Sequence, residues 1–310
     1  MPSPDEAGAL RVAVLGPGGV GGLLAGLLAV AGDSVTCLAG AGTVATLRER
    51  GLRISSERFG ELSVPVAAAE RLDDPVDVCL VTVKSTQLTQ ALDRVPPQVL
   101  AEALLVPFLN GVEHVDELRR RYPAASVVAA TIRVESTRTS PGQIRHDSPF
   151  ASVELAALPA AREPVERLAR HLERTGLDVT MGASETGVLW DKLCFLAPLA
   201  VLTTYAQAPV GVVREQHRAD LEAVVAEVAA VAGAEGTPAD AHRVLALFDT
   251  IPASMQSSMQ RDAAGGRETE LDAIAGAVLR AADRRGVPVP VTSRLVGELR
   301  GRLESRGLPS

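Results

Sequence analysis

From Val12 to Gly32 the chain runs 21 residues without a charge, "VAVLGPGGVGGLLAGLLAVAG", close to the length of a membrane-spanning helix. The same stretch carries Gly16, Gly18 and Gly21 in a G-x-G-x-x-G spacing. Three readings compete: a spanning helix, a secretory signal, and the phosphate-binding turn of a nucleotide enzyme. The preceding residues, "MPSPDEAGALR", hold two acids and one base and make a poor basic n-region. Gly16, Pro17, Gly18 and Gly19 in succession weaken a continuous helix, since Gly costs about 1 kcal/mol and Pro about 3 kcal/mol in a helix interior. Splitting the run at the glycines accounts for more of it. Leu10–Leu15 is then a buried strand, Gly16–Gly19 a turn, and Val20–Ala31 an apolar helix. That is the opening of a dinucleotide-binding unit. Gly16 permits the tight turn, Gly18 lets backbone approach a pyrophosphate, and Gly21 allows the helix to pack closely on the strand. The N–H groups of the helix start, from Gly19 and Val20 onward, face the phosphates.

The rest of the 310 residues fits a soluble, two-domain chain. Aromatic residues make up only 3%, so the core must be Ala, Val and Leu. A formal net charge of -7 argues against a dominant nucleic-acid surface. Cys37, Cys79 and Cys194 sit apart in apolar runs and read as buried, reduced thiols; with no paired His spacing either, no metal site is expected. The expected location is cytoplasmic.

Further strands are expected at Ser34–Gly40, Val76–Lys84, Ala103–Gly111, Val127–Thr137 and Ala151–Leu158. Helices are expected at Thr43–Arg50, with Thr43 as N-cap, at Val112–Tyr122 and at Arg162–Arg174. The segment "RTSPGQIRHDSP" reads as a hairpin-like loop. Beyond about residue 184 long helical patterns take over: Glu185–Tyr205, Arg218–Ala232, Asp240–Phe248, Glu268–Arg285 and Ser293–Glu304. The predicted fold class is α/β. A Rossmann-like dinucleotide-binding domain (residues 1–183) precedes a mostly α-helical domain (184–310), with residues 1–9 a candidate for disorder. Such a pairing suggests a dehydrogenase with its active site in the cleft between the domains.

Candidate chemistry lies where polar residues punctuate apolar elements. Lys84 and Gln87 ("VTVKSTQ") and Asn110 ("FLNGVE") follow strands, where ligands of open α/β sheets bind; they read equally as solvated loop residues. Lys192 ("LWDKLCF") stands among apolar residues on a helix, and Trp190 beside it reads as packing. Ser258, Asp262, Arg267 and Glu270 fall in "SSMQRDAAGGRETELD". Glu270 also reads as an exposed first-turn acid favoured by the helix dipole.

The succession "GPGGVG", "VKSTQ", "NGVE", "WDKL" and "SMQRDAAGGRETELDAIAG", then "GVPVP", resembles the ketopantoate reductase (2-dehydropantoate 2-reductase) family, in the right order from about Leu10 to Leu303. The resemblance implies NADPH-dependent reduction of a 2-keto acid to a 2-hydroxy acid, with NADP(H) as cofactor and NAD(H) left open. It places Lys192 on the family's catalytic lysine and Glu270 on its active-site glutamate. Asn110 falls at the cofactor and substrate junction, Lys84 and Gln87 on the cofactor-side loop, and Ser258 on the substrate-contacting serine. The implied partner is a small keto acid, with neither nucleic acid nor membrane, and a homodimer is one assembly left open.

Departures from the family's pattern also show. Gly40 stands where the family usually has an arginine for the NADP 2′-phosphate, which leaves backbone N–H groups, Thr43 or Arg48 to hold one. Leu196 and Ala200 replace two asparagines on the face of Lys192, and Ala275 replaces another. A wall with fewer hydrogen bonds suits a less polar keto acid. A second function class, a catalytically silent NADP(H)-binding redox sensor, is compatible with these losses and opposed by the retained Lys192, Glu270 and Ser258.

Overall fold

The computed structural model describes residues 8–308, so most of the expected disordered stretch at 1–9 lies outside the described residues. The chain divides into two compact units: one holds residues up to Leu109 and His114–Val188, the other Asn110–Glu113 and Leu189 onward.

In the first unit the strands are β1 (Arg11–Leu15), β2 (Ser34–Leu38), β3 (Leu52–Ser56), β4 (Gly60–Val64), β5 (Ala67–Ala69), β6 (Val78–Val81), β7 (Leu104–Pro107), β8 (Ala129–Arg133), β9 (Ser136–Ser140), β10 (Gln143–His146), β11 (Ser152–Ala156) and β12 (Asp178–Met181). They form three sheets, in the orders β5-β2-β1-β6-β7, β4-β3-β10-β9 and β12-β11-β8. The five-stranded sheet is wholly parallel. β1 sits at its centre, which is why Val12–Leu15 is apolar on both faces. The helices are α1 (Gly19–Val30), α2 (Ala41–Arg50), the single turn α3 (Leu88–Ala91), α4 (His114–Arg119) and α5 (Arg162–Arg174).

The charge-free run has a packing explanation. α1 follows β1 and also lies against the second sheet, so water reaches little of it. Gly22 and Gly26 make that second contact: a Cβ on either would strike Ile144 of β10 or Ile54 of β3. The repeated small residues of the run thus serve helix-on-sheet packing. The second sheet is only partly foreseen. The expected hairpin-like loop is the antiparallel β9–β10 pair, whereas the β3–β4 hairpin is an addition, as is β5 at the edge of the parallel sheet.

The second unit is helical: α6 (Glu185–Ala206, begun in the first unit), α7 (Val210–Gln216), α8 (Arg218–Ala234), α9 (Ala241–Thr250), α10 (Ser258–Ala264), α11 (Ala277–Arg285) and α12 (Pro290–Glu304). Val224, Val228, Val278, Leu295 and Leu299 of α8, α11 and α12 share one apolar core with Leu193 and Val201 of α6. Among the described helices α6 alone is long and apolar enough to cross a membrane, and 67% of that stretch is buried inside the protein.

Several expected boundaries move. α2 starts two residues early, at Ala41, with Gly40 rather than Thr43 at the N-cap position and no side-chain cap. α4 is a remnant of the expected 112–122 helix. Asp240 does cap α9, accepting from the N–H groups of His242 and Arg243. The expected helix from Glu268 begins instead at Leu271, passes through a π turn (Asp272–Gly276) and continues as α11, so Glu270 precedes it. All three cysteines are buried and unpaired, and burial pushes each thiol up to about 12.

Candidate active site

The glycine turn of the first unit is built from backbone. β1 ends at Leu15, and Gly16 turns the chain at φ +86°, a conformation that glycine adopts without strain. Its N–H donates to Leu38 O (3.1 Å), and Gly18 N–H donates to Gly16 O (2.7 Å). Thr82, at the end of neighbouring β6, donates its hydroxyl to Leu15 O (3.0 Å) and Gly16 O (2.8 Å), pinning the turn. A Cβ on Gly21 would strike Gly16 O and the Thr82 hydroxyl; one on Gly19 would strike Ser136 O. A Cβ on Gly18, by contrast, would meet only Gly16 O, at 3.8 Å, leaving open space above the turn. Gly18 occupies the N-cap position with no side-chain cap, and no acid stands in the first turn of α1. Helix geometry leaves the N–H groups of Gly19, Val20 and Gly21 without intrahelical partners. Unfilled space, unpaired N–H groups and a positive dipole end together fit a pyrophosphate.

Lys84 and Gln87 bracket a short 3-10 turn directly after β6, at the same end of the sheet as the glycine turn. Lys84 is half-buried and Gln87 exposed. Thr82 escaped the sequence reading because a threonine inside an apolar strand carries no signal of its own.

The second unit gathers three of the expected site residues. Lys192 Nζ donates to Asn110 Oδ1 at 3.0 Å, and Asn110 Nδ2 donates to Glu270 Oε2 at 2.9 Å. The two charged partners fix which way the Asn110 amide faces, its oxygen to the ammonium and its nitrogen to the carboxylate. Glu270 is only 7% exposed, which removes the alternative reading of a solvated first-turn acid. Lys192 and Asn110 are half-buried.

Local backbone explains the meeting. Gly111 adopts φ +89°, and a Cβ there would strike Ala273 O, so only glycine lets the Asn110–Glu113 segment lie against the π turn. Arg280 of α11 holds the segment's other end through two-pronged bonds to Glu113 (3.0 and 2.7 Å). The π turn itself begins two residues after Glu270, and such insertions often accompany functional sites.

The remaining expected residues stand apart. Ser258 opens α10 with an exposed side chain; the buried serine is Ser257, which caps α10 through Gln260 N–H (3.0 Å) and bonds the Thr203 hydroxyl (2.9 Å). Asp262 pairs with Arg267 (2.9 Å) and closes the loop before Glu270. Trp190 is buried packing. Leu196, one turn beyond Lys192, is half-buried, whereas Ala200 and Ala275 lie fully inside the core. Among the described residues no group of three or more His, Cys, Asp or Glu is placed to hold a metal.

Residues 12–159 match the family model described as ketopantoate reductase PanE/ApbA, and residues 186–303 match the model of its C-terminal domain. A 2-dehydropantoate 2-reductase of Halobacterium salinarum is 30% identical over 301 residues, covering 94% of this chain and 98% of that one. The crystal structure of a PanE/ApbA family ketopantoate reductase from Ralstonia eutropha JMP134 is 30% identical, with a TM-score of 0.84 over 96% of this chain and 99% of that one. The fold is shared as well by D-mandelate dehydrogenase in a ternary structure with NADH and anilino(oxo)acetate. There the TM-score is 0.87 at 23% identity, over 96% of this chain and 99% of that one.

Proposed function

Because the chain belongs to the ketopantoate reductase family of oxidoreductases, we propose that it reduces a 2-keto acid to the 2-hydroxy acid with NADPH, using Lys192 as general acid. The observation that carries this reading is the Lys192–Asn110–Glu270 hydrogen-bond chain. The dinucleotide, when bound, supplies the hydride that adds to the ketone carbon. The Gly16–Gly21 turn holds its pyrophosphate through the N–H groups of Gly19, Val20 and Gly21, with Lys84 and Gln87 beside it. Lys192 stabilises the negative charge that grows on the ketone oxygen and passes it a proton from Nζ. Asn110 aims Nζ by accepting one of its three N–H groups. Glu270 accepts from the other end of the Asn110 amide and so holds that amide in place. Ser258, the exposed first residue of α10, takes its role as a substrate contact from the family resemblance.

The substrate class follows from the helix that carries Lys192. Leu196 offers a methyl-rich surface where an amide would bind hydroxyls, so a 2-keto acid with an apolar side chain suits this wall better than ketopantoate. Steady-state oxidation of NADPH over a panel of 2-keto acids tests both parts. Branched or aromatic 2-keto acids are expected to lead in kcat/KM. Ketopantoate as clearly the best substrate would overturn the substrate class. Tight dinucleotide binding with no turnover on any carbonyl compound would replace the enzyme reading with that of a silent sensor.

A further inference from the structure

The end of β2 is the position in a doubly wound sheet that meets the ribose 2′ group of a bound dinucleotide; an acid there takes a 2′-hydroxyl and a nearby arginine takes a 2′-phosphate. Residues 38–43 here read "LAGAGT", with no side-chain charge of either sign. Arg48, a candidate from sequence, is engaged elsewhere: its Nε donates to Ala68 O (2.9 Å) and staples the last turn of α2 to β5.

The cation at this place comes from far along the chain. Arg94 ends a 3-10 turn (Leu92–Arg94), and its Nη1 donates to Ala39 O (3.1 Å) and Glu70 O (2.7 Å). Those two carbonyls lock the guanidinium beside the end of β2. Its Nη2 lies 4.0 Å from where a Gly40 Cβ would stand. Among the described residues no carboxylate forms an ion pair with it, and Nη2 stays beside the Gly40 corner. The first turn of α2 adds backbone N–H groups with no acid and no side-chain cap.

We propose that Arg94 is the residue that selects NADPH over NADH, by pairing with the 2′-phosphate at the Gly40 corner. The inference rests on the dinucleotide reading above and deepens it. Gly40 carries no side chain, and that leaves room for a guanidinium delivered from the loop after β6.

Fluorescence titrations of NADPH and NADH binding, without keto acid, test it on three proteins. The unaltered chain is expected to bind NADPH more tightly than NADH. Arg94→Gln is expected to raise the NADPH Kd by about 10- to 100-fold, the scale of a charge-assisted contact, and the NADH Kd by less than about threefold. Gly40→Asp is the second variant. Its position is exposed, has the ordinary extended φ of -72°, and stands at an N-cap where aspartate is favoured, so the fold is retained. Its carboxylate beside Arg94 is expected to invert the preference toward NADH. Equal losses for both dinucleotides in Arg94→Gln would show a purely structural staple and overturn the proposal, as would an unaltered protein that prefers NADH or a Gly40→Asp variant with unchanged preference. Failure of the unaltered protein to bind either dinucleotide would overturn the functional reading itself.

Discussion

The glycine turn and the lysine trio reach a defined geometry by opposite means. The turn is made of backbone: its groups lie within six consecutive residues, and what matters is the absence of side chains at Gly16, Gly18, Gly19 and Gly21. The trio is made of side chains separated by 82 and 160 positions along the chain, and it exists only when the helical unit is folded. Damage to the turn should therefore appear as lost dinucleotide affinity. Damage to the trio should appear as lost turnover with dinucleotide affinity intact.

The largest effect is expected from Lys192→Ala. It should lower kcat/KM for the best keto acid by roughly 10²–10⁴-fold, the usual worth of a general acid, while the NADPH Kd stays within about twofold. Steady-state kinetics beside a binding titration check the split. Gly21→Ala should show the reverse split. The added methyl meets Gly16 O and the Thr82 hydroxyl, and forcing it in costs about 1–3 kcal/mol. A Kd for NADPH raised by roughly 10- to 100-fold, with a lower Tm by circular dichroism, is the expected result.

Asn110→Ala sharpens the comparison within the trio. Lys192 keeps its charge but loses the acceptor that aims it, so a fall of about tenfold in kcat with an unchanged NADPH Kd is expected. A loss equal to that of Lys192→Ala would mean that Asn110 touches the reacting atoms itself.

The smallest effect concerns stability and falls on the first unit. His146 and His171 lie there, buried, and burial holds the pKa of each below the usual histidine value. His171 Nδ1 sits 2.8 Å from Asp33 Oδ1. A neutral folded histidine against one that protonates in the unfolded chain means that stability is fully present above about pH 6.5. It is lost as pH falls from there toward the folded pKa, by at most about 1.4 kcal/mol per pH unit for each histidine. Thermal melts at pH 7.5 and 5.5 should show the lower Tm at pH 5.5, with a smaller difference in His171→Gln.

How much of this was legible in the sequence depended on distance along the chain. β1, the glycine turn and α1 are contiguous, and their residue types report directly on buried strand, bare turn and buried helix. The β3–β4 hairpin was missed because Leu52–Ser56 alternates buried and exposed residues over only five positions and pairs with β10, about ninety residues away. Lys192, Asn110 and Glu270 were recognisable one by one through the family resemblance, but no spacing rule shows an amide linking ammonium to carboxylate. The alternative reading of Glu270 as a surface acid stays open in the sequence because the π turn that displaces the helix start past it has no sequence signature. Arg94 gave no signal at all, since its meaning comes from carbonyls at Ala39 and Glu70 that only folding brings to it.

A double-mutant cycle on Lys192 and Asn110 tests most directly whether the trio works as one catalytic unit. Values of kcat/KM for the unaltered enzyme, Lys192→Ala, Asn110→Ala and the double variant, with NADPH and the best keto acid, complete it. If Asn110 acts through Lys192, removing it from Lys192→Ala costs nothing further, and the double variant matches that single variant within about twofold. Additive losses, with the double variant roughly tenfold below Lys192→Ala, would contradict the account.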